Sequence, residues 1–462
     1  MKNHSGDFRR AGHEVVDWIA DYLENAGRYP VLPAVKPGEL TGRLPHSAPD
    51  KGEPMRAILD DFYRLIVPAV THWNHPRFMA YFSVSASGPG ILGEMLGSAI
   101  NANGMLWKSS PAGTELETVV LGWLREWLGL PDSFFGIVYD TASVSTLHAI
   151  AAAREMADPR AREEGASPNL VLYTSEQSHS SVEKGAIALG VGQKNVRKIA
   201  VDAEFRLRPG ALAAAIEKDL EAGKKPFCVV ATVGTTSTTS VDPVAEIAGI
   251  AEKYGLWFHI DAAYAGAAAI LPEFRHILAG AGRADSLVTN PHKWLFTPID
   301  FSAFYTRRPE ILRRAFSLVP EYLRTADDPR ATNFMDYGVQ LGRRFRALKF
   351  WFVLRYFGRE GIEELLRSHI RWAQELSAEV DAEERFERVA PAPFSVVCFR
   401  YRGTDDQNRQ LLERVNSSGK AFLSHTGLNG RFTLRVAIGN IGTRREDVRE
   451  VWETIKEAAG TL

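Results

Sequence analysis

Between residues 170 and 290 the chain alternates strictly between short unbroken apolar runs and helical patterns, and this rhythm restricts its possible folds more than any other feature. LVLYTSEQ, FCVVATVGTT, LWFHIDAAYAG and DSLVTN carry near-continuous Val, Ile, Leu and Phe, as strands do when both faces of their sheet are covered. Between them Asp242 and Pro243 read as an N-cap and first-turn pair before VAEIAGIAEKYG, Gly255 supplies the stop, and Pro209 opens RPGALAAAIEKDL. Strand and helix in alternation predict βαβ crossovers, and so an α/β fold with a mostly parallel central sheet.

A chain of 462 residues is long for one core, and its pattern changes twice. Residues 1–84 read as a helical and extended arm. In HEVVDWIADYLENAG, Val15, Trp18, Ile19 and Tyr22 line one helical face, and the three prolines of RYPVLPAVKPGEL favour an extended path. Such an arm packs either on its own chain or on a second subunit. Residues 85–350 form the large α/β unit, and 351–462 a small α+β unit. In the small unit FSVVCFRY reads as a strand, NRQLLERVNSSG as a helix, and AFLSHTGLNGRFTLRVAIG as a hairpin turning at Asn429-Gly430. A last helix is expected from Thr443, with Glu446 completing a capping box.

Composition excludes several function classes. Lys and Arg number 55 against 56 Asp and Glu, so a net charge of −1 gives no electrostatic reason to expect nucleic acid or an anionic membrane as partner. The two cysteines, Cys228 and Cys398, both sit in apolar strand-like runs, which argues against a disulfide framework or a cysteine-rich metal site. His72 and His75 in HWNH have no carboxylate or third ligand nearby in sequence, and no metal site is expected there. MKNHSGDFRRAGHEVVDW lacks the apolar core of a signal peptide, and a reduced, cytoplasmic protein is expected.

Ligands of open α/β sheets bind beyond the carboxyl ends of the strands. His179, Thr236 and Asp261 follow or end successive strand runs, and Asn290, His292 and Lys293 follow the next, in NPHKWLF. A lysine so placed ordinarily keeps its head in water. Here four strand ends would deliver a hydroxyl, an imidazole, a carboxylate and an amine to one rim. An amine and a carboxylate at one cleft suit carbonyl chemistry, since a desolvated lysine forms a Schiff base and an acid holds a pyridinium nitrogen protonated. The cofactor so indicated is pyridoxal 5′-phosphate. At roughly 3 Å and an effective dielectric of about 20, a carboxylate favours the pyridinium by roughly 5 kcal/mol before desolvation.

The runs SHSSVEKGA, GTTS, HIDAAYAGAAAILPEFRH, NPHKW and LGRRFRALKFWFVLRYFG, with HWNHPRFMAYF and SSPAGTELETVV upstream, resemble the aromatic-L-amino-acid decarboxylases. These are pyridoxal-phosphate enzymes of the fold type I aminotransferase architecture. The resemblance covers most of the chain and is weakest toward its C-terminus. It implies that Lys293 bonds the cofactor, Asp261 holds its ring nitrogen, His179 stacks on one ring face and Ala263 packs on the other. It further implies that Ala142 and Ser143, at the helix start in YDTASVSTLHAIAAARE, receive the phosphate, with Thr236, Asn290 and His292 completing the contacts. Tyr81 and Phe82 match an aromatic substrate wall. Ser83, Asn103 and Met105 depart from the residues usual there, so the particular aromatic side chain is left open. Arg435 is expected to be structural, because a salt bridge to the leaving carboxylate would stabilise the ground state. The implied reaction is decarboxylation of an aromatic L-amino acid to its aryl amine and CO2, by a homodimer in which the N-terminal helix and Pro-rich arm of residues 1–84 pack on the partner.

A catalytic lid is expected near residues 325–341, in RATNFMDYGVQLGRRFR. The family carries an Asp-Tyr pair there whose tyrosine is thought to protonate the carbanion left after CO2 loss. Counting back from LGRRFR without a gap puts Asn333-Phe334 on that pair, and a three-residue gap puts Asp336-Tyr337 on it. The ungapped register keeps an aromatic residue at both places. Phenylalanine cannot donate a proton. In that register the resemblance implies the alternative activity of an aromatic aldehyde synthase, which uses O2 and releases aldehyde, ammonia and hydrogen peroxide.

Overall fold

The computed structural model describes residues 5–318, 331–460 and 462. The uninterrupted apolar runs do form strands, and two sheets organise the molecule. Strand β1 (Phe78–Met79) belongs to the smaller sheet. The larger is built from β2 (Phe135–Tyr139), β3 (Leu170–Ser175), β4 (Val196–Ile199), β5 (Lys225–Thr232), β6 (Trp257–Asp261), β7 (Ser286–Thr289) and β8 (Ser302–Thr306), in the order β2-β8-β7-β6-β5-β3-β4. β3, β6 and β7 are buried along their whole length, as their unbroken apolar sequence requires. β4-β3-β5-β6-β7 pair in parallel, and β8 runs against both of its neighbours, β7 and β2. The carboxyl ends of β2, β3, β5, β6 and β7 therefore share one edge.

The smaller sheet adds β9 (Phe386–Arg388), β10 (Val396–Tyr401), β11 (Phe422–Leu428) and β12 (Arg431–Ala437) in the order β1-β11-β12-β10-β9. It is antiparallel except where β1 joins β11. The hairpin turns at Asn429 and Gly430, both at positive φ (50° and 74°), as the Asn-Gly pair demands. The long helix Ala347–Ala382 changes direction at Gly358 (φ 62°) and spans the position where the sequence pattern changes. It packs on helix Gly88–Ile100, where a Cβ on Gly93 would lie 2.6 Å from the Lys349 Cα, so only glycine permits the approach.

The N-terminal helix, Ser5–Asn25, begins earlier than its apolar face alone indicated. Trp18 stacks on Tyr22 at 5.2 Å and meets the Phe62 edge at 5.1 Å, and Tyr22 Oη hydrogen-bonds His72 Nδ1 at 3.0 Å. The following arm is held at Val31, whose N–H donates to Gly419 O (3.0 Å) and whose carbonyl accepts from His72 N–H (3.1 Å), so this part packs on its own chain. Among the described residues no helix is long and apolar enough to cross a membrane.

Two helix-start expectations need correction. Asp242 is not a cap for the helix Val244–Tyr254. It is buried, and its two oxygens accept the N–H groups of Leu207 and Thr232 at 2.7 Å each, tying the end of β5 to the segment that precedes Pro209. The last helix, Arg445–Ala459, is capped one residue later than expected, by Asp447 accepting the Arg444 N–H (2.9 Å), because the Thr443 hydroxyl is committed to Pro76 O (2.6 Å). Of the expected lid, residues 325–330 lie outside the described residues. Phe334–Tyr337 form a single 3-10 turn.

Candidate active site

Pro291, with φ preset for a first turn, starts the one-turn helix Pro291–Trp294 directly after β7, and Lys293 N–H closes it on Asn290 O at 2.9 Å. Trp294 anchors the turn by stacking on Tyr264 at 4.7 Å and donating from Nε1 to His369 Nδ1 at 3.0 Å. The Lys293 side chain is thereby aimed over the ring of Phe82, with Nζ 5.1 Å from its centroid. Removal from water lowers the lysine's pKa, the nearby Asp261 charge opposes that shift, and Arg435 adds to it. A larger neutral fraction of the amine is the form that attacks a carbonyl carbon.

Asp261 ends β6, is buried, and accepts the Ala263 N–H at 3.1 Å. His179 follows β3; its Nδ1 accepts the Ser181 N–H at 3.1 Å, so the neutral ring carries its proton on Nε2. Its pKa is lowered by burial, against the raising influence of Asp261 and with help from Lys293 and Lys184. The residue nonetheless keeps an exposed surface on the cavity, where a planar ring could stack. Asn290 Oδ1 accepts from Ser302 Oγ (2.7 Å), which also meets Ser145 (2.8 Å) on helix Ala142–Ala157. His292 Nδ1 accepts the Phe301 N–H at 2.9 Å, and burial drives its pKa down to about 3, so it stays neutral.

These groups meet in one cavity of about 390 Å³, lined also by Tyr81, Phe82, Ala142, Ser143, Thr236 and Ala263. The donors fit a phosphorylated pyridine aldehyde. Helix Ala142–Ala157 begins at Thr141 without a side-chain cap, leaving its first-turn N–H groups free for an anion. Two buried polar atoms of the lining residues, Thr232 Oγ1 and Arg435 Nη2, have no partner among the described residues. A larger cavity of about 1030 Å³ includes Arg208, Asp242 and Phe394 in its wall. It contains no lysine, and both oxygens of its buried Asp242 are already occupied.

The small sheet supplies a wall that the sequence did not announce: Ser424, His425 and Thr426 of β11 and Arg435 of β12. Arg435 is structural as expected in that Nε donates to Ser237 O (3.0 Å) and Nη1 to Tyr81 O, but it also faces the cavity. Alternation of polar residues along β11 was the available signal, though it does not say which face meets a ligand. Asn103, Met105, Phe334 and Tyr337 do not line this cavity. They form a separate unit, in which Arg343 N–H donates to Asn103 Oδ1 (3.0 Å), Met335 N–H to Met105 O (3.1 Å) and Trp107 N–H to Asn333 Oδ1 (3.0 Å). Phe334 is buried there under the Arg343 guanidinium, 4.6 Å from its ring, and Tyr337 packs on Phe135 at 4.9 Å.

Comparison with known proteins agrees with this chemistry. The pyridoxal-dependent decarboxylase conserved domain matches residues 37–402. A tryptophan decarboxylase of Camptotheca acuminata is 42% identical over 474 residues, covering 99% of this chain and 95% of the relative. A phenylacetaldehyde synthase of Arabidopsis thaliana is 42% identical over 475 residues, covering 99% and 97%. The crystal structure of Catharanthus roseus tryptophan decarboxylase in complex with L-tryptophan matches with a TM-score of 0.94 at 39% identity, over 100% of this chain and 99% of that one. With matches of this extent over strand ends that carry an amine, a carboxylate and an anion seat, the chain belongs to the pyridoxal-dependent decarboxylases, in their aromatic-L-amino-acid group, and is a pyridoxal-phosphate-dependent carboxy-lyase.

Proposed function

We propose that the enzyme decarboxylates an aromatic L-amino acid to its aryl amine and CO2. The observation that carries this is the position of the desolvated Lys293 amine over the Phe82 ring, in the cavity that Asp261 and His179 also line. Bound here, pyridoxal phosphate would supply an electron sink for the pair that stays on the α-carbon when CO2 leaves. The protein's own groups do the rest. Asp261 places a negative charge where a ring nitrogen must stay protonated. His179 offers a ring face and a proton on Nε2. The first turn of Ala142–Ala157 would hold the phosphate, and Ala263 would leave room for the ring. Phe82, stacked on Tyr264 at 3.8 Å, gives a flat apolar wall to an aromatic side chain. Incubation with a mixture of amino acids, with the consumed one and its product identified by mass spectrometry, tests the reading. Consumption of only non-aromatic acids overturns it.

A second reading is favoured by Phe334, which opens the turn Phe334–Tyr337 without a hydroxyl. A phenylalanine at this place would leave the site without a proton donor there, and O2 would enter the reaction instead. The amino acid, O2 and water then give the aldehyde, CO2, ammonia and hydrogen peroxide. The relative from Arabidopsis thaliana named as a phenylacetaldehyde synthase supports including this outcome.

The working form is a homodimer in the cytoplasm. Support for the dimer is the apolar surface left exposed at Phe8, Leu92, Met95, Leu96 and Ile100, together with the unit of Asn103, Met105 and Phe334 that does not line its own chain's cavity. A two-fold partner gives that unit a cavity to serve. Both cysteines being free and buried accords with a reducing compartment.

A further inference from the structure

His148 lies in the second turn of Ala142–Ala157, the helix whose first turn offers the anion seat. It is buried, at 1% exposure, and the chemistry described so far does not use it. Both ring nitrogens are engaged. Nδ1 donates to Val144 O at 2.7 Å, which leaves Nε2 as an acceptor, and Nε2 takes the N–H of Val339 at 3.1 Å. The ring stacks on Tyr139 at 4.1 Å, and the Tyr139 hydroxyl donates to Tyr337 O. Gly338 lies between these two bonds. A Cβ there would come within 2.9 Å of His148 Nε2 and 3.1 Å of Tyr139 Cε1, so the residue must be glycine for the segment to lie this close. Two positions past Gly338, Gln340 Nε2 donates to Asp140 Oδ2 at 2.7 Å. Three successive stations of the segment are thus fixed to the end of β2 and to this helix.

We propose that His148 is a positioning residue, which through Nε2 registers the segment Phe334–Gln340 on the helix that seats the cofactor phosphate. The proposal rests on the reading that this segment governs what happens at the carbanion carbon. Burial lowers the imidazole pKa to about 4, so the acceptor lone pair is present across the ordinary working range. A phenylalanine at this place fills the same space with no acceptor, whereas the Oε1 of glutamine reaches the position of Nε2 and accepts in its stead.

The test uses the full-length holoenzyme with His148→Phe, His148→Gln and Gly338→Ala. Hydrogen exchange is followed on the peptide containing Val339, alongside kcat, KM, the ratio of aldehyde to amine, and cofactor absorbance. His148→Phe is expected to speed Val339 exchange about tenfold, the equivalent of one net hydrogen bond. It should lower kcat or change the product ratio by a similar factor, with KM within about twofold and absorbance unchanged. His148→Gln should restore both quantities, and Gly338→Ala should repeat the phenylalanine phenotype from the other side of the contact. If exchange is unchanged in His148→Phe, or if glutamine behaves as phenylalanine does, the hydrogen bond is not the cause and the proposal falls. Faster exchange with unaltered kcat and product ratio also overturns it. Exchange is readable even if no aromatic amino acid is turned over, so failure of the proposed activity is distinguished from failure of the clamp.

Discussion

The guanidinium of Arg435 stacks on the ring of Phe82, 4.6 Å from its centroid. The same guanidinium donates to Ser237 O and Tyr81 O, so one buried cation braces the aromatic wall against the loop after β5. Hydrogen bonds to charged groups contribute about 1.5–3 kcal/mol each. Arg435→Gln is therefore expected to raise KM for the aromatic substrate at least about tenfold. It also removes a positive charge that lowers the Lys293 pKa, so cofactor capture at neutral pH should slow, as read by stopped-flow absorbance. Unchanged KM and capture rate would show that the brace is dispensable.

Lys293→Ala is expected to lose the borohydride-reducible cofactor linkage and turnover together. Of the described residues lining the cavity it is the only lysine. Peptide mapping that finds reduced cofactor on a different lysine in the native enzyme refutes the assignment.

Phe334 and Tyr337 make opposite predictions about product. If Phe334 occupies the deciding position, the native enzyme takes up oxygen and releases peroxide, Phe334→Tyr shifts the product toward amine, and Tyr337→Phe changes little. No oxygen uptake, or loss of amine formation on Tyr337→Phe alone, assigns the role to Tyr337.

Mixed dimers report which cavity the Phe334 segment serves. A Lys293→Ala subunit paired with a Phe334→Tyr subunit has one working cavity, in the Phe334→Tyr chain. Aldehyde from that dimer means the segment comes from the partner, and amine means it acts within its own chain. An active monomer in sedimentation removes the dimer altogether.

Acid should unfold this protein through its histidines. Burial lowers the pKa of His75, His148, His259 and His369 to about 4 each and that of His292 to about 3. The unfolded chain protonates first as pH falls, so the stability these neutral rings contribute is whole above about pH 6.5 and is lost on the way down to about 4. For one fully buried ring the loss approaches about 3 kcal/mol. Urea midpoints measured from pH 7.5 to 4.5 should fall steadily, and His148→Gln should flatten the curve. A midpoint independent of pH over that range contradicts the burial argument.

The large sheet and the groups at its carboxyl edge were legible because parallel strands buried on both faces announce themselves as unbroken apolar runs. Once those strands are placed, the positions of His179, Asp261, Asn290 and Lys293 follow from topology. The wall from β11 and β12 was not legible in this way, since a strand's sequence tells which residues alternate and not which side another domain will cover. Asp242 and Thr443 misled for a different reason. Each is a good cap by residue type, but each is claimed by a longer-range partner, at Leu207 and Thr232 or at Pro76, and local propensity gives way to such contacts. Resemblance puts Asn103 and Met105 at the substrate wall and Phe334 in the catalytic lid, but it maps residues to a site without saying which cavity they line.

Strand β1 is hydrogen-bonded into the small sheet beside β11, and the chain passes from Met79 to Tyr81 and Phe82 within three residues. The aromatic wall is therefore hung from the C-terminal unit although it is encoded in the N-terminal segment. The wall is consequently not portable with residues 85–350. A chimera that exchanges residues 85–350 alone will keep the recipient's wall, and one that exchanges residues 1–84 without 351–462 will split the β1–β11 pair and misplace it.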